Sequence, residues 1–401
     1  MWEQIRSNRI RSIILVGAMG ALLLLLGYFL GYLFIGDPVP GVVIAIIVWL
    51  VMNLVAYFQG DSILLAVSGA RKISRDDHPR LYNIVEEMKI ASGLPKMPDI
   101  YIIDDSAPNA FATGRSPEKA AVAVTSGLLE KMNRDELQGV IGHEISHVKN
   151  RDVMLMSMAG IILGTIVILA WYATRVLFFS GMAGGRRGSR GGVGQGQIII
   201  LVIGIALMII APIVAQLLYF AVSRKREYLA DASSALYTRY PEGLASALEK
   251  IAASTQQLKA VNKATAPLYI INPFREKGMA ASDLSSTHPP ISKRIRILRA
   301  MGGASFADYN KAYQKISGGS VIPASALTGT GALAFRAPSS SGEPAEETSD
   351  HLKRTRETSN LMWRLGNYRT VTCQCGTNLR VPASFREPQI KCPHCGRLNR
   401  L

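Results

Sequence analysis

The sequence predicts a mainly α membrane protein: transmembrane helices, an α+β domain among them, and a small metal-binding module at the C-terminus. Three observations predict it. Four uncharged apolar runs are long enough to cross a bilayer. The stretch after residue 70 alternates helical and strand-like periodicity. All 4 cysteines lie in two close pairs between residues 373 and 395. With 401 residues, 48% of them hydrophobic, the chain can bury one sizeable core and still carry extra modules.

The candidate spans are residues 13–35, 41–58, 153–174 and 198–222. The first follows Arg6, Arg9 and Arg11 as a signal peptide would, yet its apolar part is too long and no small-residue cleavage site follows. It reads as a retained anchor. The second is short and contains Asn53. No cation lies at 36–40, whereas Arg71, Lys72 and Arg75 come right after the second span. The positive-inside bias then puts the N-terminus and the residues after 70 in the cytoplasm of a multi-pass protein of the cell membrane. Residues 153–222 read as a transmembrane hairpin whose tip carries Arg186, Arg187 and Arg190 against that bias. The alternative is a hairpin lying shallow or partly inside the fold.

His143-Glu144-Ile145-Ser146-His147 carries the chemistry. Four residues turn a helix by about 400°, so both imidazoles leave one face and can share a metal. Roughly 0.004 such patterns are expected by chance at this composition. Asn133 and Glu136 form a capping-box pattern, and Leu137, Val140 and Ile141 supply the buried stripe, so the motif lies inside a real helix. A zinc hydrolase needs three protein ligands and an open position for water, with a base beside it. Glu144 is placed to be that base. Downstream, Glu227 and Asp231 are one helical turn apart. They are either a metal ligand and the carboxylate that orients a liganding histidine, or a solvated charge face beside Arg224, Lys225 and Arg226.

Between the second span and this helix, residues 79–92 read as a helix burying Leu81, Ile84, Val85 and Met88, followed by strand-like 100–103, 107–114 and 120–125. Asn109, Ala110, Phe111 and Ala112 are either a substrate-binding strand edge or a plain strand-turn element. After Glu227, Leu244, Ala247, Leu248 and Ile251 share a helical face, as do Ile291, Ile295 and Leu298.

The order of His143–His147, the Arg226–Asp231 segment, Asn109-Ala110-Phe111-Ala112-Thr113-Gly114 and Thr287-His288-Pro289 resembles that of the HtpX-type membrane zinc endopeptidases, relatives of the prenyl-protein peptidases. The resemblance covers roughly residues 1–300. It implies an α+β domain of the zincin type, zinc bound by His143, His147 and Glu227, and Glu144 as catalytic base. It also places His288 and Arg294 near the active site, where they can stabilise an oxyanion. The activity it implies is cleavage of misfolded or surplus membrane proteins, with prenyl-protein processing as the alternative. A silent membrane scaffold fits less well, since base and ligands occur together.

Residues 318–358 read as a disordered linker rich in Gly, Ser, Pro, Ala and Thr. Residues 359–401 follow as a zinc ribbon in which Cys373, Cys375, Cys392 and Cys395 bind a structural ion; two disulfides are the alternative. The chain thus divides into two N-terminal spans (1–70), a peptidase domain (71–317), the linker and the ribbon. Two zinc ions are expected, one catalytic and one structural. Residues 351–401 hold 10 Lys or Arg against 2 acidic residues, half of the formal net charge of +16. That basic ribbon suits an acidic protein or anionic lipid. Its aromatic residues are scattered, which argues against nucleic acid.

Overall fold

A computed structural model describes residues 2–153, 162–172, 174–175, 195–259, 269–270, 289–322, 324–327, 333–339 and 344–401. His288 and the hairpin-tip arginines Arg186, Arg187 and Arg190 lie outside the described residues. Helices α1 (Trp2–Ile35) and α2 (Pro38–Val67) form an antiparallel pair. Small residues make the approach possible: a Cβ on Gly41 would lie 2.1 Å from the Gly27 carbonyl oxygen. Among the described residues, α2 is the one helix long and apolar enough to cross a membrane, with 17% of its apolar window buried. Val16–Tyr32 and α6 (Ile162–Tyr172) are shorter apolar helices.

The domain after the second helix centres on one sheet and one helix. Strands β1 (Arg71–Ile73), β2 (Asp99–Ile103), β3 (Ala110–Gly114) and β4 (Ala120–Thr125) pair in the order β1-β2-β4-β3. β2 and β4 are parallel, and the outer pairs are antiparallel. β3 is therefore an edge strand. Helices α3 (Pro79–Ser92), α4 (Ser126–Lys131) and α5 (Arg134–Lys149) pack with it around one core in which Leu81, Ile84, Val85, Val122, Val140 and Ile141 are fully buried. The expected stripe of α5 is buried, and its capping box forms: Asn133 Oδ1 accepts from the Glu136 N–H at 2.9 Å, and Glu136 Oε2 accepts from the Asn133 N–H at 2.9 Å.

α7 (Gln195–Thr238) is a single 44-residue helix running from the fourth apolar segment to Glu227 and Asp231. α8 (Pro241–Ala253) lies against α5 where Gly139 leaves room, since a Cβ there would sit 2.6 Å from the Leu244 nitrogen. Leu244, Ala247, Leu248 and Ile251 are buried as their spacing predicts. α9 (Ile291–Arg299) differs from expectation. Its deepest residues are Arg294, Ile297 and Leu298, while Ile291 and Ile295 are half-buried, because the Arg294 guanidinium is drawn inward to two carboxylates. α10 (Phe306–Ser317) and the short α11 (Ala324–Leu327) complete this layer.

The segment expected to be a disordered linker contains ordered structure. Arg336 donates to Asp135 at 2.6 Å and Gln138 at 2.7 Å, and the Ser339 N–H donates to Asp135 at 2.7 Å, clasping the start of α5. From Pro344 to Leu365 the chain forms α12, which packs on α4; Arg354 donates to the Glu130 carbonyl at 3.2 Å. Its inner face is Arg354, Thr358, Leu361 and Leu365. Two of these are polar, which hides the face from a search for apolar periodicity. Arg71 donates to the Leu365 carbonyl, and Arg364 to the Asp77 carbonyl at 2.6 Å, so the C-terminal module is tied to the domain built on β1–β4. The module consists of hairpins β5 (Tyr368–Thr372) with β6 (Asn378–Pro382), and β7 (Gln389–Lys391) with β8 (Leu398–Arg400).

The start of α3 carries a pH dependence. His78 caps it by accepting the Leu81 N–H on Nδ1 at 3.1 Å, and only a neutral imidazole can accept there. Burial, then the nearby Arg80, lowers its pKa from 6.5 to about 4. The unfolded chain thus binds more protons between these values, so stability is retained above pH 6.5 and falls as pH drops toward 4, by on the order of 3 kcal/mol. His78→Asn keeps a cap without the proton; its melting temperature should lose this acid dependence, and an unchanged acid profile would contradict the assignment.

Candidate metal centre

α5 places His143, Glu144 and His147 at the domain's centre, and α7 brings Glu227 to meet them. The two Nε2 atoms are 3.3 Å apart. Glu227 Oε2 lies 3.5 Å from His143 Nε2, and Oε1 lies 3.4 Å from His147 Nε2. For a tetrahedral ion with bonds of 2.0–2.1 Å, ligand atoms are about 3.3 Å from one another. The two imidazoles and the Glu227 carboxylate, which faces each of them with a different oxygen, therefore enclose a space of the size such an ion needs.

The other ring nitrogens explain why these atoms converge. His143 Nδ1 lies 3.0 Å from Asp231 Oδ1, and His147 Nδ1 lies 3.3 Å from Asp152 Oδ2. A carboxylate on Nδ1 fixes the proton there and leaves Nε2 with a bare lone pair. Two lone pairs and a carboxylate then face one another, an arrangement that requires a cation between them. Burial opposes the charge on His147, but Asp152 and Glu227 outweigh it and push the imidazole up to about 10.

Asp231 was expected beside a liganding histidine, and it lies beside His143. Asp152 was not foreseen. It follows the end of α5, where Arg151 takes a left-handed φ of 58° that folds the chain back toward His147. That conformation costs a non-glycine residue roughly 1–2 kcal/mol. A carboxylate five residues beyond the second histidine is the only sequence signal for it. Both carboxylates have buried guanidinium partners. Arg294 Nη2 donates to Asp231 Oδ1 at 2.6 Å and Nε to Oδ2 at 2.8 Å, while Nη1 lies 3.3 Å from Glu227. Arg226 Nε lies 3.6 Å from Asp152.

Glu144 is buried beside the histidines, and desolvation raises its pKa despite the neighbouring imidazoles. A raised carboxylate is better suited to hold a proton at neutral pH. α5 packs against the edge strand β3, and the nearby Ala112 backbone N–H offsets part of that rise. Asn109 is buried and pairs with Thr125 at the start of β3: its N–H donates to Thr125 Oγ1 at 2.9 Å.

The four cysteines form a second cluster, with all four Sγ atoms within 4.8 Å of one another. Cys373 Sγ is 3.5 Å from Cys395 Sγ, and Cys375 Sγ is 3.7 Å from Cys392 Sγ. These separations exclude disulfides and approach the ~3.8 Å expected between thiolates on a zinc with ~2.3 Å bonds. Gly376 and Gly396 take φ of 85° and 73° in the two turns, which only glycine adopts without strain.

Removing an outer carboxylate tests the centre without touching a ligand. Asp152→Asn should weaken zinc binding about 10–100-fold in chelator competition, with the fold intact. Asp231→Ala should do the same and also lower stability by about 3–5 kcal/mol, because the buried Arg294 loses its two-bond partner and keeps only the longer contact with Glu227. Unchanged zinc affinity in both variants would contradict the assignment.

Residues 75–302 match the model of peptidase family M48. The protease HtpX homolog of Dictyoglomus turgidum is 46% identical over 302 residues, 75% of this chain and 95% of the relative. That of Streptococcus gordonii is 42% identical over 302 residues, 75% of this chain and 100% of the relative. The crystal structure of S. mikatae Ste24p superposes with a TM-score of 0.41 at 21% identity, over 74% of this chain and 67% of that one. A histidine, histidine, carboxylate cluster next to a buried glutamate is what a metalloendopeptidase needs, and by the family match over residues 75–302 and its HtpX relatives the chain belongs to peptidase family M48.

Proposed function

We propose that this protein is a membrane-integrated zinc endopeptidase that hydrolyses peptide bonds of misfolded or surplus membrane proteins at the cytoplasmic face. The observation that carries the chemistry is the convergence of His143 Nε2 and His147 Nε2, 3.3 Å apart, on the Glu227 carboxylate, whose two oxygens lie 3.5 and 3.4 Å from them. A zinc ion held there supplies a Lewis acid and lowers the pKa of a water at its open position. Glu144 takes the proton from the attacking water and returns it to the leaving amine. β3, which packs against α5, orients the substrate as an added strand. Asp231 and Asp152 keep the ring nitrogens that face the site unprotonated. His288 and Arg294 remain the candidates for steadying the oxyanion, and Arg294 also braces Asp231.

Placement rests on α2 and on the cations that follow it, Arg71, Lys72 and Arg75. The ribbon holds a second, structural zinc, and its exposed Arg369, Arg380, Arg386, Lys391, Arg397 and Arg400 suit an acidic protein or lipid.

Glu144→Gln should retain zinc and lose at least about 10²-fold in peptide cleavage, whereas His143→Ala or Glu227→Ala should lose both. The intact chain should bind two zinc ions. Replacing Cys373 and Cys392 by serine should release one and spare cleavage. Truncation near Ser317 is a poorer test, since it removes Arg336 and α12 from the peptidase domain as well as the ribbon. Full activity in Glu144→Gln would sink the mechanism, and one zinc per wild-type chain would remove the ribbon site.

A further inference from the structure

α2 keeps exposed apolar side chains to its last turn. They run from Val39 through Ile47 and Leu54 to Ile63 and Val67. Four residues after Val67 the chain enters β1 at Arg71, so the sheet begins within about 14 Å of that apolar surface. The Arg71 guanidinium donates to the Leu365 carbonyl at the end of α12, three residues before β5 begins. The ribbon therefore starts beside the end of α2. It is also held there. Arg380 Nη2 donates to Asn360 Oδ1 of α12 at 3.1 Å, and its guanidinium lies 5.0 Å from the Trp363 ring centre. Trp363 in turn meets Tyr368 edge-on, with ring centres 4.6 Å apart.

The β7–β8 hairpin has two unlike faces. Ile390 and Asn399 pair with each other and are half-buried, and Ile390 packs on the ribbon core of Cys373, Leu379 and Cys392. Side chains alternate along a strand, so the pairs Lys391 with Leu398 and Gln389 with Arg400 share the opposite face. All four are exposed, Leu398 by 63%. A single exposed leucine is ordinary. This one is paired with one cation and lies two residues from another, in a module whose one acidic residue after Gly366 is Glu387. Four thiolates on a divalent ion leave two negative charges, fewer than the six Lys and Arg of the same stretch supply.

An acidic protein would answer the charge alone. The leucine between cations and the position beside α2 fit a lipid surface, where an apolar side chain enters the headgroup layer and long cations reach the phosphates. We propose, resting on the reading of α2 as a span with the residues after 70 at the cytoplasmic face, that the Lys391, Leu398 and Arg400 face binds the anionic lipid surface around that helix. The ribbon is then a foot on the bilayer. Through Arg71 and Arg364 it holds the domain built on β1–β4 in a fixed position over the membrane.

The test uses the full chain with zinc in nanodiscs of phosphatidylcholine alone, or with about one lipid in three replaced by phosphatidylglycerol. Leu398 is replaced by an apolar fluorescent amino acid with a coumarin side chain, and nitroxides on the lipid headgroups serve as quenchers. Quenching should be strong in the anionic discs and weak in the neutral ones. Each cation at such a surface favours the docked state about fivefold, so Lys391→Gln with Arg400→Gln should lower the docked-to-undocked ratio about 25-fold. Zinc content should stay that of the parent protein, and cleavage of a free soluble peptide within about twofold of it. Salt at about 0.5 M, which shortens the Debye length to about 4 Å, should also release the face. Equal quenching in both compositions, none in either while the chain stays in the disc, or quenching that survives the double substitution would overturn the proposal. Capture of polyglutamate by this face, with no response to phosphatidylglycerol, would overturn it in favour of an acidic protein. If alkaline carbonate extracts the wild-type chain from vesicles, α2 is not a span, and the inference falls with that reading.

Discussion

Three electron pairs pointed at one spot govern the architecture of this protein. Two imidazole nitrogens and a carboxylate, within 3.5 Å of one another, repel unless a cation lies among them. The charges around the spot add up in the same sense. Glu144, Glu227, Asp231 and Asp152 are four buried acids, and Arg294 and Arg226 are two buried bases. With the acids ionised the cluster carries a charge of −2, which a divalent ion neutralises. Burial without that compensation would be costly, so binding the ion and folding the core are linked.

The surrounding elements hold these groups in place. The capping box starts α5 rigidly, and its last residues bend through Arg151 to return Asp152 to His147. Ser246 and Lys250 of α8 reach Glu136 at 2.6 and 2.9 Å, locking α8 to the same helix end. Arg294 joins α9 to α7 through Asp231. From the other side, the C-terminal segment grips Asp135 through Arg336 and Ser339. α8 and the C-terminal segment thus fix the start of α5, and α9 steadies the part of α7 that faces it.

What could be read from the sequence follows from how local each feature is. His143, Glu144 and His147 lie within a little over one helical turn, so spacing alone aligned them and their cap was visible in Asn133 and Glu136. The partnership of Glu227 with Asp231 had the right spacing but also fitted a solvated face, and only the family resemblance decided between the two. Asp152 was hidden, because a left-handed residue after a helix end breaks the periodicity that projects side chains onto a face. The depth of Arg294 was hidden for a different reason: it is buried by two carboxylates distant in sequence, against the usual preference of arginine for the surface. β1 is a three-residue strand with two exposed basic positions, and α12 buries an arginine and a threonine, so neither shows an apolar pattern.

The central claim is that the α5–α7 junction is a histidine, histidine, carboxylate zinc centre independent of the ribbon. The most direct measurement is zinc K-edge X-ray absorption on protein in which all four cysteines are serine. The account predicts a first shell of nitrogen and oxygen alone at about 2.0–2.1 Å, with the outer-shell scattering of two imidazoles. A shell with one imidazole or none, or a protein that retains no zinc once the cysteines are gone, would contradict it.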